Sequence, residues 1–411
     1  MIFGVEVESK VGEVAKTLKD LGLRLLSQGG KVPFAESLDA AVASSSRQRP
    51  ARAKVGPNDY WAFIYTSGTT GLPKAAPVKN SKFWGSSPFF VHQFGVNQDD
   101  VLYNCLPLYH SAGGMISVGM WMTTGATMVI KRKFSATAFW EDVGTHKVTV
   151  FQYIGELCRY LMTSPPSPLD NKNNLKVAIG NGLRPDIWEE FQTRFAIPEI
   201  GEFYAATEGN VSMWLTVSGQ EGRGAIGHRG RLLSLEDSQY AILKFDVDKE
   251  EPIRDARGFC LPCEKGVAGE LVGRIVPGVP GREFVGYHGN KEGTEKKILK
   301  TVFEGDETYF RTGDLVREDE RGYFYFVDRI GDTFRWKGEN VSTNEVAETL
   351  SVFPGCQEVN VYGVQIPNHD GRAGMAAMVA GPNLDYSKLG AHVSEKLPPY
   401  AVPFFLRILP A

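Results

Sequence analysis

The sequence has almost no net charge and no long block of like charges. Its 411 residues contain 45 Lys and Arg against 48 Asp and Glu, a formal net charge of −3 at pH 7. Binding nucleic acid through its phosphates needs a basic surface, so nucleic acid is not an expected partner. There is no internal repeat or low-complexity tail, and the 42% hydrophobic and 23% charged content is typical of a globular protein. The length predicts two or three domains.

Cysteine is also scarce. The five cysteines are Cys105, Cys158, Cys260, Cys263 and Cys356. Their odd number and scatter favour a reducing compartment over a disulfide scaffold. Cys260 and Cys263 have the spacing of a metal-ligand pair, but no second pair or nearby His completes a tetrahedral site. A zinc or redox site is therefore not expected.

The sequence shows neither a signal peptide nor a convincing membrane span. Residues 1–12 lack the basic region followed by an apolar region that a secretory signal requires. Residues 111–130 are uncharged and long enough to raise the question of a transmembrane helix, but glycines and threonines interrupt them. This stretch predicts a buried helix followed by a strand.

A segment dense in hydroxyl groups and glycines runs from Tyr65 to Ala76, Tyr-Thr-Ser-Gly-Thr-Thr-Gly-Leu-Pro-Lys-Ala-Ala. It follows a predicted strand at residues 60–65. Glycines let the backbone approach an anion, consecutive amides form a nest for phosphate oxygens, and hydroxyls and a lysine add donors. The segment therefore predicts a polyphosphate-binding loop, with candidate residues Thr66, Ser67, Gly68, Thr69, Thr70, Gly71 and Lys74.

This loop is not a Walker A motif. Two residues separate Gly68 from Gly71, Pro73 precedes Lys74 and Ala75 follows it, whereas the motif needs four residues between the glycines and Lys-Ser/Thr at its end. Residues 75–78 also read as a strand, so no helix begins beneath the phosphates. A kinase or P-loop NTPase is disfavoured, and a Gly/Ser/Thr-rich turn between two strands is the alternative.

The predicted pattern of secondary structure changes near residue 210 and again near residue 330. Alternating strands and helices over residues 59–209 predict a mainly parallel sheet covered on both faces. Short strands and Gly/Pro turns follow, including a hairpin over residues 314–327. Ser342 and Glu345 then form a capping box that predicts a helix ending near residue 354, followed by a strand at residues 357–366 of a smaller α+β domain.

Further segments make a family resemblance specific. They are Tyr153-Ile-Gly-Glu-Leu-Cys-Arg-Tyr160, Tyr204-Ala-Ala-Thr-Glu-Gly-Asn210, Phe310-Arg-Thr-Gly-Asp-Leu315 and Asp328-Arg-Ile-Gly-Asp-Thr-Phe-Arg-Trp-Lys-Gly-Glu-Asn340. With the loop at Tyr65, the last three resemble, in this order, the core motifs of the adenylate-forming superfamily of acyl-CoA synthetases, luciferases and peptide-synthetase adenylation domains. The first and last resemble the fatty acid transport protein/very-long-chain acyl-CoA synthetase branch. The resemblance covers nearly all of the chain.

The resemblance implies an α/β adenylate-forming enzyme fold. A large AMP-binding domain would cover residues 1–327, with a β-rich subdomain at 210–327. A hinge would follow at 328–332 and a small α+β domain at 333–411. The implied activity is a ligase for long-chain or very-long-chain fatty acids, with ATP, Mg²⁺ and CoA. The carboxylate attacks the α-phosphate of ATP to give an acyl-adenylate and pyrophosphate, and the CoA thiol then displaces AMP.

The resemblance also implies roles for individual residues. The segment from Tyr65 would hold the β- and γ-phosphates. Tyr204 would stack on adenine, Asp314 would accept the ribose hydroxyls, and Arg329 would contact ribose or phosphate. Thr207 would contact the α-phosphate, and Glu208 and Thr66 would bind magnesium, which prefers hard oxygen ligands. The implied nucleotide-binding set is completed by Gly180, Asn181, Gly182, Ala205 and Ala206.

The resemblance implies roles for three more residues. His110 sits where the family places an acyl-pocket or gating residue, although a packed core histidine is the alternative. Gly331 would serve the hinge, since a few residues there can absorb a large backbone rotation. That rotation would bring Lys337, in the turn Lys337-Gly338-Glu339, into the site for thioester formation. Each other site residue has an ordinary alternative as a loop, cap or surface residue.

The chain departs from the family pattern at both ends. Its first residues resemble an internal strand, and no lysine follows Lys396, where the family carries the lysine of the adenylation step. A cation placed where negative charge develops usually contributes several kcal/mol to lowering a barrier. The expectation is a chain truncated at both ends, with slow adenylation and less affected thioester formation.

Several alternatives stay open at this stage. They are another acyl- or aryl-CoA ligase of the superfamily, a protein that promotes fatty-acid uptake, and a non-catalytic nucleotide- or acyl-binding remnant. The expected partners are fatty acid, ATP and CoA. By resemblance the full-length family is membrane-associated and faces the cytosol, whereas this chain, without an anchor, is expected to be soluble and cytosolic. The sequence leaves acyl chain length and oligomeric state undetermined.

Overall fold

The computed structural model describes residues 1–66, 73–230, 239–367, 369 and 371–410. The predicted phosphate-binding residues Ser67, Gly68, Thr69, Thr70 and Gly71 lie outside the described residues. The chain divides into two compact units, Met1–Val55 and Gly56–Ala411.

The unit Met1–Val55 is a small parallel sheet with helices. Its strands lie in the order β1–β2–β3 and pack on a core of Phe3, Val11, Ala15, Leu25 and Val32. The predicted strand at the first residues is confirmed. The elements are β1 (Ile2–Gly4), a 3-10 turn (Val5–Val7), α1 (Glu8–Asp20), β2 (Leu26–Gln28), β3 (Glu36–Ser37) and α2 (Leu38–Ala43).

The unit Gly56–Ala411 begins with a hairpin and a mainly parallel sheet. Its first elements are β4 (Tyr60–Thr66), β5 (Lys74–Lys79), α3 (Asn80–Gln93), β6 (Val101–Asn104), a π-helix (Ser111–Ser117), α4 (Val118–Thr124), β7 (Thr127–Ile130), α5 (Phe139–Thr145), β8 (Val150–Ile154), α6 (Gly155–Thr163), β9 (Val177–Asn181), α7 (Pro185–Arg194), β10 (Glu199–Ala205) and β11 (Ser212–Val217). The sheet order is β11–β10–β9–β8–β6–β7, and only the β10–β11 pair is antiparallel within it.

Helices cover both faces of this sheet, as predicted. Successive side chains of a strand point to opposite faces. Phe151 on β8 therefore packs with Phe139 and Trp188 of α5 and α7. Its neighbour Val150 packs on the other face with Met120 of α4. Because the parallel strands share a direction, β6, β8, β9 and β10 all end at one edge of the sheet.

The helix predicted over residues 111–123 is confirmed, and its first half is a π-helix that continues as α4. A Cβ atom at Gly114 would lie 2.0 Å from the carbonyl oxygen of Leu108, and one at Gly113 would lie 2.6 Å from that of Pro107. The glycines thus let this turn pack against the preceding loop at a distance that excludes side chains. Periodicity cannot distinguish the two helix types here.

The next part of the chain is built of antiparallel strands. They are β12 (Gly227–His228), β13 (Tyr240–Leu243), β14 (Phe245–Asp246), β15 (Glu251–Pro252), β16 (Gly269–Arg274), β17 (Ile298–Leu299), β18 (Tyr309–Glu318) and β19 (Tyr323–Arg329), with helix α8 (Lys291–Glu295) before β17. The sheet order is β12–β19–β18–β16–β13, with β17 also on β18. The predicted hairpin is the β18–β19 pair.

The last part is α+β, as the sequence indicated. Its elements are β20 (Phe334–Trp336), β21 (Glu339–Val341), α9 (Thr343–Ser351), β22 (Cys356–Gln365), β23 (Arg372–Ala380), α10 (Tyr386–Lys396) and β24 (Phe405–Leu409). It has its own core, which includes Trp336, Val346 and Met378. Ser342 caps α9 by accepting the Glu345 amide at 3.2 Å, which confirms the predicted helix start.

In the part of the chain that the structure describes, the helices are too short or too polar to cross a bilayer.

Candidate active site

The predicted adenine-binding turn lies at the carboxyl end of β9. Gly182 has a φ of +78°, a conformation that side chains disfavour. The start of α6 packs on this turn so closely that a Cβ atom at Gly155 would overlap the Gly182 carbonyl oxygen at 1.7 Å. A Cβ atom at Gly180 would lie 2.4 Å from the carbonyl oxygen of Tyr153. The backbone of Gly180–Asn181–Gly182 is therefore fixed by the elements behind it.

A buried carboxylate holds this turn, and the sequence reasoning missed it. Glu202 of β10 is 1% exposed. One of its oxygens accepts the amide of Gly182, and the other accepts the hydroxyl of Tyr153 at 2.5 Å. Burial raises the pKa of Glu202 to about 8, and the hydrogen bonds from Tyr153 and from the Gly182 and Leu183 amides oppose that rise. A glutamate between Gly201 and Phe203 in a predicted buried strand was the available signal.

Tyr204 and Asp314 meet at the same edge of the sheet. The Tyr204 hydroxyl donates to Oδ2 of Asp314, although 110 positions separate the two residues. Arg329 places its Nε 3.9 Å from Oδ1 of that aspartate. Burial raises the pKa of Asp314, and the bond from Tyr204 and the charges of Arg329 and Lys297 oppose it. Three residues predicted to bind the nucleotide are thus brought together.

Thr207 and Glu208 lie on the loop that follows β10. The Thr207 hydroxyl donates to the hydroxyl of Ser111 at 3.1 Å, and Glu208 Oε1 accepts the Tyr287 hydroxyl at 2.7 Å. His110, which is exposed, caps the π-helix by accepting the Ala112 amide at Nδ1. The predicted substrate residue His110 is therefore next in sequence to the residue that contacts Thr207. Ala205 ends β10, and Ala206 begins the loop.

Lys82 holds the backbone of this loop, and no sequence signal singled it out. Its Nζ donates to the carbonyl oxygen of Thr207 at 2.7 Å and to that of Gly209 at 2.9 Å. Burial lowers the pKa of Lys82 to about 8, and the charges of Glu208 and Glu283 oppose that shift. The carbonyls on either side of Glu208 are thus bound by one ammonium group.

The hairpin β4–β5 approaches the same site. Thr66, the last residue of β4, donates its hydroxyl to the Lys74 carbonyl at 3.5 Å. The Lys74 ammonium lies 5.1 Å from the ring centroid of Tyr287, the tyrosine that binds Glu208. Tyr65 is 68% exposed. Lys74 and Glu208, from distant segments, therefore share one aromatic partner.

The oxygen atoms of this site are of the kind that magnesium binds. Among the described residues, no group of three or more His, Cys, Asp or Glu side chains could hold a metal ion. Magnesium usually takes one or two carboxylates and completes its shell with phosphate oxygens and water. Glu208 supplies a carboxylate and Thr66 a hydroxyl, which are hard oxygen donors of the required kind.

The described contacts of Lys337 are not with the candidate nucleotide-binding residues above. It sits in the turn between β20 and β21 with a φ of +53°, and its ammonium is 5.3 Å from the ring of Phe404. Its described contacts thus belong to the α+β part. The loop after β19 is tied instead by Asp328, whose Oδ2 accepts the Thr343 amide at 2.7 Å and the Thr333 hydroxyl at 3.0 Å. Gly331 follows with a φ of +114°.

Residues 2–274 match the model of the AMP-binding enzyme family. This chain belongs to the AMP-binding enzyme family. Long-chain fatty acid transport protein 1 of Mus musculus is 43% identical over 418 residues, which cover 100% of this chain and 64% of that protein. Long-chain fatty acid transport protein 3 of Homo sapiens is 49% identical over 352 residues, 85% of this chain and 50% of that protein. The chain spans less than two thirds of the length of these relatives.

Solved structures establish the fold. ATP-bound MatB from Rhodopseudomonas palustris superimposes with a TM-score of 0.78 at 23% identity, over 98% of this chain and 74% of that one. The anthranilate CoA ligase AuaEII in complex with anthranoyl-AMP gives a TM-score of 0.79 at 18% identity, over 100% of this chain and 74% of that one. The predicted α/β adenylate-forming fold is confirmed.

Proposed function

We propose that the protein is an ATP- and magnesium-dependent ligase that joins a long-chain fatty acid to CoA. The observation that carries this is the arrangement at one sheet edge: the glycine turn after β9, the Tyr204–Asp314 pair, and Glu208 sharing Tyr287 with Lys74. Family membership and relatives named as long-chain fatty acid transport proteins support the substrate class.

The nucleotide would occupy this edge. Gly180, Asn181 and Gly182 would line the adenine with Tyr204, Ala205 and Ala206. Asp314 would accept the ribose hydroxyls, since a carboxylate is an acceptor with two oxygens. Arg329 beside it would face ribose or phosphate. The segment from Tyr65 to Lys74 would hold the β- and γ-phosphates.

In the first step a fatty carboxylate oxygen forms a bond to the α-phosphorus while the bond to pyrophosphate breaks. Thr207 would donate to an α-phosphate oxygen, and Lys74 would compensate charge on the departing pyrophosphate. Magnesium at Glu208 and Thr66 would neutralise charge on the phosphate oxygens. Donors fixed before reaction stabilise such charge with little reorganisation. In the second step the CoA thiol loses its proton, bonds to the acyl carbon and displaces AMP.

The α+β part would rotate between the two steps. We propose a large domain over residues 1–327, a hinge at residues 328–332 and a small domain over residues 333–411. The loop after β19 carries Gly331 at a positive φ, which suits a hinge. Lys337, which here lies on Phe404, would enter the site with that rotation and serve thioester formation. His110 would face the acyl group near Thr207.

The test follows both products in the purified chain with ATP and magnesium. Palmitate is expected to stimulate pyrophosphate release, and CoA is expected to convert supplied palmitoyl-AMP to palmitoyl-CoA. Glu208→Ala should lower pyrophosphate release by about 100-fold, the scale of losing one preorganised electrostatic contact. Glu189→Ala removes an exposed carboxylate paired with Arg223 and serves as the control. Equal release from the Glu208→Ala protein, or benzoate preferred over palmitate, would overturn the proposal.

A further inference from the structure

The loop between β10 and β11 is hydrogen-bonded to several distant segments. The side-chain amide of Asn210, within the loop, donates to the carbonyl oxygens of Gly273, Arg274 and Arg282 at 3.3, 2.8 and 3.2 Å. Tyr287 holds the Glu208 carboxylate, and Ser111 holds the Thr207 hydroxyl. These anchors act on side chains or on the far end of the loop. Within the loop the Gly209 amide donates to the Ala206 carbonyl at 3.1 Å, and the carbonyls of Thr207 and Gly209 are bound by a further group.

Lys82 supplies that group. Its ammonium reaches the carbonyl oxygens of Thr207 and Gly209, which flank Glu208, at 2.7 and 2.9 Å. Hydrogen bonds from a charged donor are roughly twice as strong as those between neutral groups. Two such bonds on either side of Glu208 restrict the backbone from which its carboxylate projects.

Lys82 also connects this loop to the phosphate-binding segment. It is the third residue of α3, which starts at Asn80 directly after β5 ends at Lys79. β5 begins at Lys74, so one continuous strand and helix turn joins Lys74 to Lys82. On the same strand, Lys79 pairs with Glu283 at 2.7 Å. Lys82 therefore links the end of β5 to the backbone around Glu208.

We propose that Lys82 is a positioning residue that fixes the Thr207–Gly209 backbone, so that Glu208 and the β4–β5 hairpin bind one magnesium–nucleotide complex together. This inference rests on the proposed function, because it assigns Glu208 to magnesium. Lys82 acts through the loop carbonyls and takes no part in bond making. Its removal should weaken the contribution of magnesium to nucleotide affinity more than it weakens the affinity for ATP alone.

The experiment compares Lys82→Met, Lys82→Arg and a matched control, Lys176→Met. Lys176 precedes β9 at the opposite end of the sheet, and its ammonium also bridges a carbonyl, that of Gly95 at 2.8 Å, and a carboxylate, that of Asp100 at 2.6 Å. The first readout is amide hydrogen exchange of residues 205–210 without nucleotide. The second is ATP affinity by calorimetry, with and without magnesium.

Lys82→Met is expected to speed exchange in residues 205–210 and to weaken magnesium–ATP binding roughly 10-fold or more. Lys82→Arg should restore most of both, since a guanidinium also donates to two acceptors. Lys176→Met should change neither. Unchanged exchange or unchanged magnesium–ATP affinity in Lys82→Met would overturn the inference. Failure of the proposed function would look different, because the unaltered chain and the Lys176→Met control would then bind no magnesium–ATP either.

Discussion

Glu202 combines a buried position with three hydrogen-bond donors directed at one carboxyl group. Its partners are the Tyr153 hydroxyl and the amides of Gly182 and Leu183. The donors favour the ionised form of Glu202, and burial favours the neutral form. Burial has the larger effect, so the pKa is raised to about 8. Burial also raises the pKa values of Cys158 and Tyr153, which lie beside it.

This shift predicts how stability changes with pH. Between the ordinary value of 4.5 and about 8, the folded chain keeps the Glu202 proton and the unfolded chain has lost it. Unfolding then releases a proton, so rising pH favours the unfolded state. The thermal midpoint of the unaltered chain should therefore fall relative to that of Glu202→Gln as pH rises from about 5 to 8. A constant difference over this range would contradict the assigned shift.

Asp314 is the residue on which nucleotide affinity should depend most directly. Asp314→Ala removes the acceptor proposed for the ribose hydroxyls and leaves the Tyr204 hydroxyl without that partner. Hydrogen bonds to charged groups are worth about 1.5–3 kcal/mol, which corresponds to a loss of about 10- to 150-fold in ATP affinity. Titration calorimetry measures this. Tyr204→Phe keeps the ring and should cost less, and a larger loss there would place the key contact on the phenol instead.

At the level of elements, two helix starts illustrate different causes. α9 begins at Ser342 because a side-chain oxygen satisfies an amide that the helix leaves free. The π-helix begins after His110 because Gly113 and Gly114 pack against the carbonyl oxygens of the preceding loop. A serine oxygen thus caps the first start, whereas the second is capped by the His110 ring nitrogen and depends on glycines that admit the preceding loop.

The cap of α9 gives a stability prediction. Ser342→Ala removes the acceptor for the Glu345 amide and the donor to the Val327 carbonyl at 3.0 Å. The expected loss is about 1 kcal/mol, the usual value of an N-cap. Hydrogen exchange of α9 should accelerate accordingly. Thr349→Ala, which removes an exposed hydroxyl bonded to Glu345 within the same helix, is the control and should leave exchange nearly unchanged.

Within Gly56–Ala411, the α+β part is tied to the parallel sheet through two arginines. Arg159 of α6 donates to the Gln357 carbonyl at 2.6 Å, and Arg184 donates to the Ser351 hydroxyl at 2.8 Å. Each arginine also pairs with an acidic residue near it in sequence, Glu156 or Asp186. These bonds favour the observed orientation over others that a hinge at residues 328–332 would allow.

Removing the hydrogen bonds of both arginines should therefore let the α+β part move relative to the parallel sheet. In the double variant Arg159→Ala and Arg184→Ala, trypsin is expected to cut more quickly after Arg329, whose side chain is 66% exposed. The rate should rise several-fold, since each contact contributes on the order of 1 kcal/mol. Arg223→Ala, which breaks the pair with Glu189, is the control. Equal cleavage rates in the double variant and the unaltered chain would show that these two arginines do not hold the α+β part in place.

The sequence by itself determined the order of elements and the family. Strand and helix alternation, the β18–β19 hairpin and the Ser342 cap depend on periodicity, turn residues and local hydrogen bonds, which are properties of neighbouring residues. Only the tertiary structure decided which distant groups meet. The Tyr204–Asp314 bond, the Glu202 anchor under the glycine turn and the Lys82 contacts with the Glu208 loop join segments far apart along the chain. Such contacts follow from how sheets and loops pack, and no regular spacing of residues along the sequence indicates them.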